Sequence, residues 1–240
     1  YAWQITNGQI LSGGTSPAVT FAPTGADPVT LSVIVQLGSC TCTDEVTIPI
    51  VPEIDCTITT PAAACAGTTG LTASVTSPGA GASYVWTIAG GTITAGEGTQ
   101  QITYTAGTGT AVELTVAITD ANGCTCEGEA TATVHPLPPT PANAHATPPA
   151  VCLGESTELS ATVGTDEVVD WYTGACGQTL LGTGTLTVSP TMTTTYYARA
   201  RNTVTGCESG TCATVEVVVH PLPAAAATNT GPYCEGDTIQ

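Results

Sequence analysis

The chain has 240 residues, with Lys+Arg 2 against Asp+Glu 19 and a net charge of −17, yet only 9% of its residues are charged. The acidity comes from a shortage of bases: there is no lysine, and Arg199 and Arg201 are the two strong cations. This excludes a basic footprint for nucleic acid or anionic membrane, and it excludes lysine chemistry such as a Schiff base, a phosphate-loop lysine or a Lys–Asn isopeptide bond.

Threonine is the dominant residue, 49 of 240, with 27 Gly and 17 Pro. β-Branched side chains fit a pleated surface and lose rotamer freedom in a helix, so Thr-, Val- and Ile-rich segments broken by Gly and Pro predict strands and turns. No 3.6-residue apolar stripe predicts a helix. No apolar run approaches the roughly 18 residues of a membrane span, so none is expected here.

In chain order, the first signal is Tyr1-Ala2-Trp3-Gln4-Ile5-Thr6-Asn7-Gly8-Gln9-Ile10, which returns as Tyr84-Val85-Trp86-Thr87-Ile88-Ala89-Gly90-Gly91-Thr92-Ile93. Cys40-Thr41-Cys42 matches Cys124-Thr125-Cys126, and a third tryptophan, Trp171, follows Trp86 at nearly the same interval. His135-Pro136-Leu137-Pro138 returns as His220-Pro221-Leu222-Pro223, and Cys65-Ala66-Gly67, Cys152-Leu153-Gly154 and Cys234-Glu235-Gly236 mark a third recurring point. The repeat is therefore about 85 residues.

The expected domains are 1–52, 53–137, 138–222 and the opening of another at 223–240. The first lacks what should precede its Trp strand, so the chain reads as a segment of a longer array. Pro-rich stretches at 136–149 and 221–232, and a shorter one at Pro49–Pro52, read as stiff linkers. In the second domain, strands are expected near 57–64, 70–76, 83–89, 91–94, 99–105, 111–119 and 127–135. One Trp on the third of seven short strands predicts an all-β chain of tandem immunoglobulin-like sandwiches. Trp3, Trp86, Trp171 and Tyr197 are the expected core anchors.

The first two domains resemble the PKD-like repeats of very large secreted surface proteins of Bacteroidetes-like bacteria, of adhesin or gliding-motility type. The residues that carry this are Tyr84-x-Trp86-x-Ile88-x-Gly90-Gly91, Gly96-Glu97-Gly98-Thr99 and Asn122-Gly123-Cys124. The third domain is similar to the Ig-like repeat of the same proteins, through Cys152-x-Gly154-Glu155, Trp171-Tyr172, Thr193-Thr194-Thr195-Tyr196-Tyr197 and Gly206-Cys207-Glu208-Ser209. The acidic loop motif that names the PKD fold is absent. The resemblance implies an extracellular, cell-surface or secreted segment that builds a stalk or fibre. The alternative is an adhesin module whose exposed loops bind polysaccharide or surfaces. Expected partners are neighbouring repeats, other copies in a fibre and extracellular polysaccharide or surfaces.

Catalytic chemistry is not expected. Nucleophilic catalysis needs a base beside a Ser or Cys; His135 and His220 share a strand-end motif, His145 sits in a linker, and there is no G-x-S-x-G. Gly96-Glu97-Gly98 lacks the third glycine and the helix of a dinucleotide fingerprint. The carboxylates Asp44-Glu45, Glu53/Asp55 and Asp166-Glu167 with Asp170 read as solvated surface, with calcium at domain joints as the competing reading. No N-x-S/T sequon occurs, and Asp237-Thr238-Ile239 fits a short bacterial O-glycosylation pattern. No cofactor is expected, and no metal.

Eleven cysteines predict disulfides. Each unit has one before its second strand (Cys65, Cys152, Cys234) and one in the turn before its last (Cys40, Cys124, Cys207). These points lie at opposite ends of a simple sandwich, about 23 Å apart for a seven-residue strand, whereas a disulfide needs Cα atoms within about 7 Å. Either the Cys65 segment runs back up its sandwich, or the bridges cross between domains and join Cys65 to Cys207 or Cys212. The family habit of one such pair per repeat implies Cys65–Cys124 and Cys152–Cys207, with Cys56–Cys126 and Cys176–Cys212 following. Cys40, Cys42 and Cys234 are expected to find partners outside residues 1–240.

Overall fold

The computed structural model describes residues 1–225 and 234–235, and all regular structure there is β. Residues 226–233 and 236–240 lie outside that description, and with them most of the expected opening of a further domain, Tyr233 and Asp237-Thr238-Ile239.

The first repeat comprises β1 (Ala2–Thr6), β2 (Gly8–Ser12), β3 (Thr20–Pro23), β4 (Val29–Leu37) and β5 (Cys40–Ile48). They form a three-stranded sheet β1-β4-β5 and a two-stranded sheet β2-β3. With so few strands there is little to bury: Val29 and Leu31 are its buried apolar side chains, and Trp3 is only half-buried, which corrects its expected place as a core anchor.

The second repeat comprises β6 (Ala63–Cys65), β7 (Leu71–Ser74), β8 (Ser83–Ala89), β9 (Gly91–Ala95), β10 (Gln101–Ala106), β11 (Ala111–Thr119) and β12 (Thr125–His135). The sheets are β7-β10-β9 and β6-β12-β11-β8. β11 alternates strictly, burying Val112, Leu114, Val116 and Ile118 and exposing the residues between, as a strand with one face on a core must. Gly90, with φ +72, makes the β8–β9 corner; a Cβ there would come within 2.1 Å of the Ala111 carbonyl oxygen, so only glycine fits.

The strand expected at 57–64 is instead two pieces. Thr59 bridges Ser74 of one sheet, and β6 pairs in parallel with the end of β12 in the other. Pro61 sits between them and lacks the N–H that a continuous ladder requires. The chain therefore changes sheets at the proline.

The third repeat does the same. It comprises β13 (Ala142–Thr147), β14 (Ala150–Cys152), β15 (Thr157–Thr162), β16 (Glu167–Thr173), β17 (Thr179–Thr183), β18 (Leu186–Val188), β19 (Thr194–Asn202) and β20 (Ala213–His220). Its sheets are β13-β15-β18 and β14-β20-β19-β16-β17, and the switch between β13 and β14 falls at Pro148-Pro149. Here the linker expectation for 136–149 is corrected: 142–147 is a strand, paired antiparallel with β15. Prolines at both of its ends made it look like a spacer, but the residues between them keep their donors and join the ladder.

Tyr197 is also corrected as a core anchor. Tyr196 is 5% exposed and packs with Trp171, Val151, Leu159, Val169, Ala198, Val215 and Val217, while Tyr197 is half-buried on the opposite face. Strand period 2 puts Tyr196, Ala198 and Ala200 on the core side and Tyr197 with Arg199 and Arg201 on the other.

By internal contacts the chain forms two compact units. One contains Tyr1–Ala62, Thr69–Thr105 and Ala111–Ala132; the other contains Ala63–Thr68, Ala106–Thr110 and the described part of Thr133–Gln240.

Candidate functional site

The most regular feature is the tryptophan anchor. Trp3 Nε1 donates to the Ser16 carbonyl at 2.8 Å, Trp86 Nε1 to that of Thr99 at 2.8 Å, and Trp171 Nε1 to that of Gly184 at 2.7 Å. In each case the acceptor lies 13 residues after the indole. For the buried Trp86 and Trp171 an unpaired indole N–H would cost about 1–3 kcal/mol, so the recurrent acceptor is part of what defines the repeat.

The second feature is the cysteine set. Cys56 bonds Cys126 with Cα atoms 6.2 Å apart, Cys65 bonds Cys207 at 5.6 Å, and Cys176 bonds Cys212 at 5.8 Å. Cys40, Cys42, Cys124 and Cys152 form no disulfide among the described residues. The pairings Cys65–Cys124 and Cys152–Cys207 are thus corrected. Cys65 lies opposite His135, the last residue of β12, and Cys124 just precedes its first. Eleven residues at ~3.3 Å put about 35 Å between those points. Likewise Cys152 lies opposite His220 at the end of β20, whereas Cys207 precedes that strand. The Cys65 segment does not run back up its sandwich, because the sheet change at Pro61 delivers it to the far end of β12.

The Cys65–Cys207 bridge sits within the second compact unit, on two tight loops. In one, the Ala66 N–H donates to the His135 carbonyl at 2.9 Å and Thr68 N–H to that of Cys65 at 3.1 Å, with Gly67 at φ +75. In the other, Asn202 N–H donates to the Cys207 carbonyl at 2.8 Å, and Asn202 Oδ1 accepts from the N–H groups of Val204 and Thr205. Leu137, Arg199, Gly206, Glu208 and Gly210 line a shallow groove beside the bridge.

Both arginines are committed within the third repeat. Arg199 donates through Nε to the Ser209 carbonyl at 2.8 Å and pairs through Nη1 with Glu208 at 2.6 Å. Arg201 donates from Nε and Nη2 to Asp170 at 2.6 and 3.2 Å, and Thr183 Oγ1 donates to the same carboxylate at 2.7 Å. Asp170 is 3% exposed, not solvated surface. Burial pushes its pKa up, but the Arg201 and Thr183 hydrogen bonds and the Arg201 charge outweigh that and hold it below the usual carboxylate value. Since β19 is flanked by β16 and β20 and both guanidinium groups are engaged, we expect the oxidised protein to resist trypsin at Arg199 and Arg201. A time course on gels checks this; rapid cleavage would show that the third sandwich opens readily.

The remaining candidates do not converge. His145, placed by β13, brings Nε2 to 3.2 Å from Ser160 Oγ, a contact hidden by the linker reading. Its Nδ1 faces the Asn143 carbonyl at 2.8 Å rather than a carboxylate, and the pair lies on an exposed part of the strand. Glu53, Asp55 and Asp120 line a cleft with Thr76, Ser77 and Asn122. Asp55 is held below its ordinary pKa by hydrogen bonds from Thr57. For Asp120, burial acts upward, but donors from Asn122, Gly123 and Cys124 prevail and lower it. Both serve turns, and no group of three or more metal-ligating side chains occurs among the described residues. No helix among them is long and apolar enough to cross a membrane.

Residues 51–134 match the family described as "PKD-like domain", and residues 138–221 match "Ig-like domain CHU_C associated". No curated protein matches the chain. Among solved structures, the fibronectin(III)-like modules of Clostridium thermocellum CbhA are 15% identical, with 72% of this chain and 100% of that one covered and a TM-score of 0.41. Murine CEACAM1b is 14% identical, covering 68% of this chain and 100% of that one, TM-score 0.32. Drosophila N-cadherin EC1-4 is 13% identical, covering 92% and 67%, TM-score 0.31. The chain carries PKD-like and Ig-like repeats built as tandem immunoglobulin-like β-sandwiches, and its disulfides fit an extracellular protein.

Proposed function

We propose that the chain is a non-catalytic structural segment of an extracellular stalk or fibre, on the cell surface or secreted, of the kind found in very large surface proteins of Bacteroidetes-like bacteria. The repeat boundaries 1–52, 53–137, 138–222 and 223–240 belong to this reading, and the extents of the two family matches support the middle two. Its principal support is the Cys65–Cys207 bond, which joins a residue of the PKD-like repeat to one of the Ig-like repeat. A covalent tie between successive repeats suits a chain under tension, because it limits both hinging and extension. Its partners are then neighbouring repeats and other copies along a fibre.

The adhesin alternative needs exposed recognition side chains. Among the exposed large apolar residues described, Tyr1 is the aromatic one; the rest, such as Leu180, Leu181, Met192 and Val204, are aliphatic or thioether. Sugar-stacking platforms are aromatic, so this distribution favours the structural role over polysaccharide binding. Electron microscopy of the native protein tests the proposal. A thin beaded fibre with about 35–40 Å per repeat is expected, taking seven-residue strands at ~3.3 Å plus loops. Isolated globules would contradict it.

A further inference from the structure

The second and third repeats each present two cysteine-bearing ends, and the structure shows one complementary pair of them joined. The donor end of the second repeat is Cys65-Ala66-Gly67-Thr68. The third repeat reproduces its strand pairing and two of its backbone hydrogen bonds as Cys152-Leu153-Gly154-Glu155. Cys152 stands opposite His220 as Cys65 stands opposite His135, both in parallel pairing. Leu153 N–H donates to the His220 carbonyl at 2.9 Å, as Ala66 does to that of His135 at 2.9 Å. Glu155 N–H donates to the Cys152 carbonyl at 3.0 Å, as Thr68 does to that of Cys65 at 3.1 Å. Gly154 and Gly67 both have positive φ, +95 and +75.

The acceptor end is duplicated too. Cys207 closes a Gly-Cys turn in which Asn202 N–H donates to its carbonyl at 2.8 Å. Cys124 closes the equivalent turn in the second repeat, with Asp120 N–H donating to its carbonyl at 2.9 Å and Gly123 at φ +84. So Cys152 copies the bonded Cys65 one repeat later, and Cys124 copies the bonded Cys207 one repeat earlier. The surroundings agree. Leu137, which follows His135-Pro136, lies beside Gly210, near enough that a Cβ added there would be 3.8 Å from its Cδ1. Leu137 is 40% exposed there, against 63% for its counterpart Leu222; Leu153, next to Cys152, is 43% exposed.

We propose that Cys152 is an inter-repeat disulfide site. It takes the Gly-Cys turn of the next sandwich repeat in the same polypeptide. The partner is committed to the same polypeptide because the formed bond joins successive repeats of one chain. Closure removes one proton from each thiol and two electrons from the pair. The electrons reduce the disulfide of an extracytoplasmic thiol oxidant to a dithiol. The inference rests on the repeat-array reading and adds a rule to it: each repeat's Cys-x-Gly cysteine bonds the turn cysteine of its successor.

The test uses the native protein, with thiols blocked by N-ethylmaleimide on isolation and digestion by pepsin in acid without reduction. The Cys152 peptide is expected to be linked to a Gly-Cys peptide, with the intact protein staying a single chain on reduction. Cys152 recovered alkylated, or linked to a second copy so that reduction splits the protein into separate chains, overturns the proposal. The Cys65–Cys207 peptide is the internal reference. Its presence with Cys152 alkylated defeats this rule alone, and its absence defeats the stapled-array reading as well.

Discussion

Trp171→Ala in the full chain destabilises the third repeat by about 3–5 kcal/mol, the range for removing a large aromatic side chain from a packed core. Trp171 is fully buried at 0% exposure, is surrounded by Val151, Leu159, Val169, Tyr196 and Val217, and anchors the Gly184 carbonyl. A domain of this size has about 5–15 kcal/mol in total, so the loss is a large share. Trp3→Ala should cost far less, because Trp3 is only half-buried. Differential scanning calorimetry separates the cases. A Trp171→Ala transition unshifted from the parent would show that the third repeat's core does not depend on its indole.

Asp170→Ala is expected to cost roughly 2–3 kcal/mol. Breaking a fully buried ion pair costs about 3–5 kcal/mol. Here the Asp170 side chain is 4% exposed but that of Arg201 is 36% exposed, so the orphaned guanidinium recovers part of its hydration. The pH dependence has a definite sign. The folded carboxyl titrates below its unfolded counterpart, so its stabilisation is present above the unfolded value of about 3.9 and is lost as pH falls through the folded one. Denaturant midpoints for the parent should therefore drop below about pH 4, and Asp170→Asn should flatten that drop. Equal acid slopes for the two would mean that Asp170 is not held by Arg201.

The sheet architecture was legible because β-branched runs, turn glycines and one Trp per repeat are local signals. The indole acceptor, at a fixed offset from each Trp, follows from the same spacing. Tyr197 could have been placed correctly, since Arg199 and Arg201 share its parity along the strand. The alternating small residues Ala198 and Ala200 mark the core side through Tyr196. The disulfide partner of Cys65 was less accessible. It depends on a strand changing sheets at Pro61, and a proline in a strand reads equally as a break, an edge or a switch. The same ambiguity concealed β13 between Pro141 and Pro148, and with it the contact of His145 and Ser160. Asp170 read as surface because its partner Arg201 is far along the chain, and only the β16–β19 register brings them together.

In the proposed stalk, covalent bonds, and not only folded sandwiches, carry load from repeat to repeat. Pulling single molecules by residues near 1 and 240 tests it most directly. In the oxidised chain the Cys65–Cys207 bridge shortens the load path by its separation of 142 residues. At up to ~3.6 Å per residue, roughly 50 nm of contour length should stay hidden until reductant is added. An oxidised chain that extends as far as the reduced one would show that tension bypasses no part of these repeats, and the stapled-stalk account would fail.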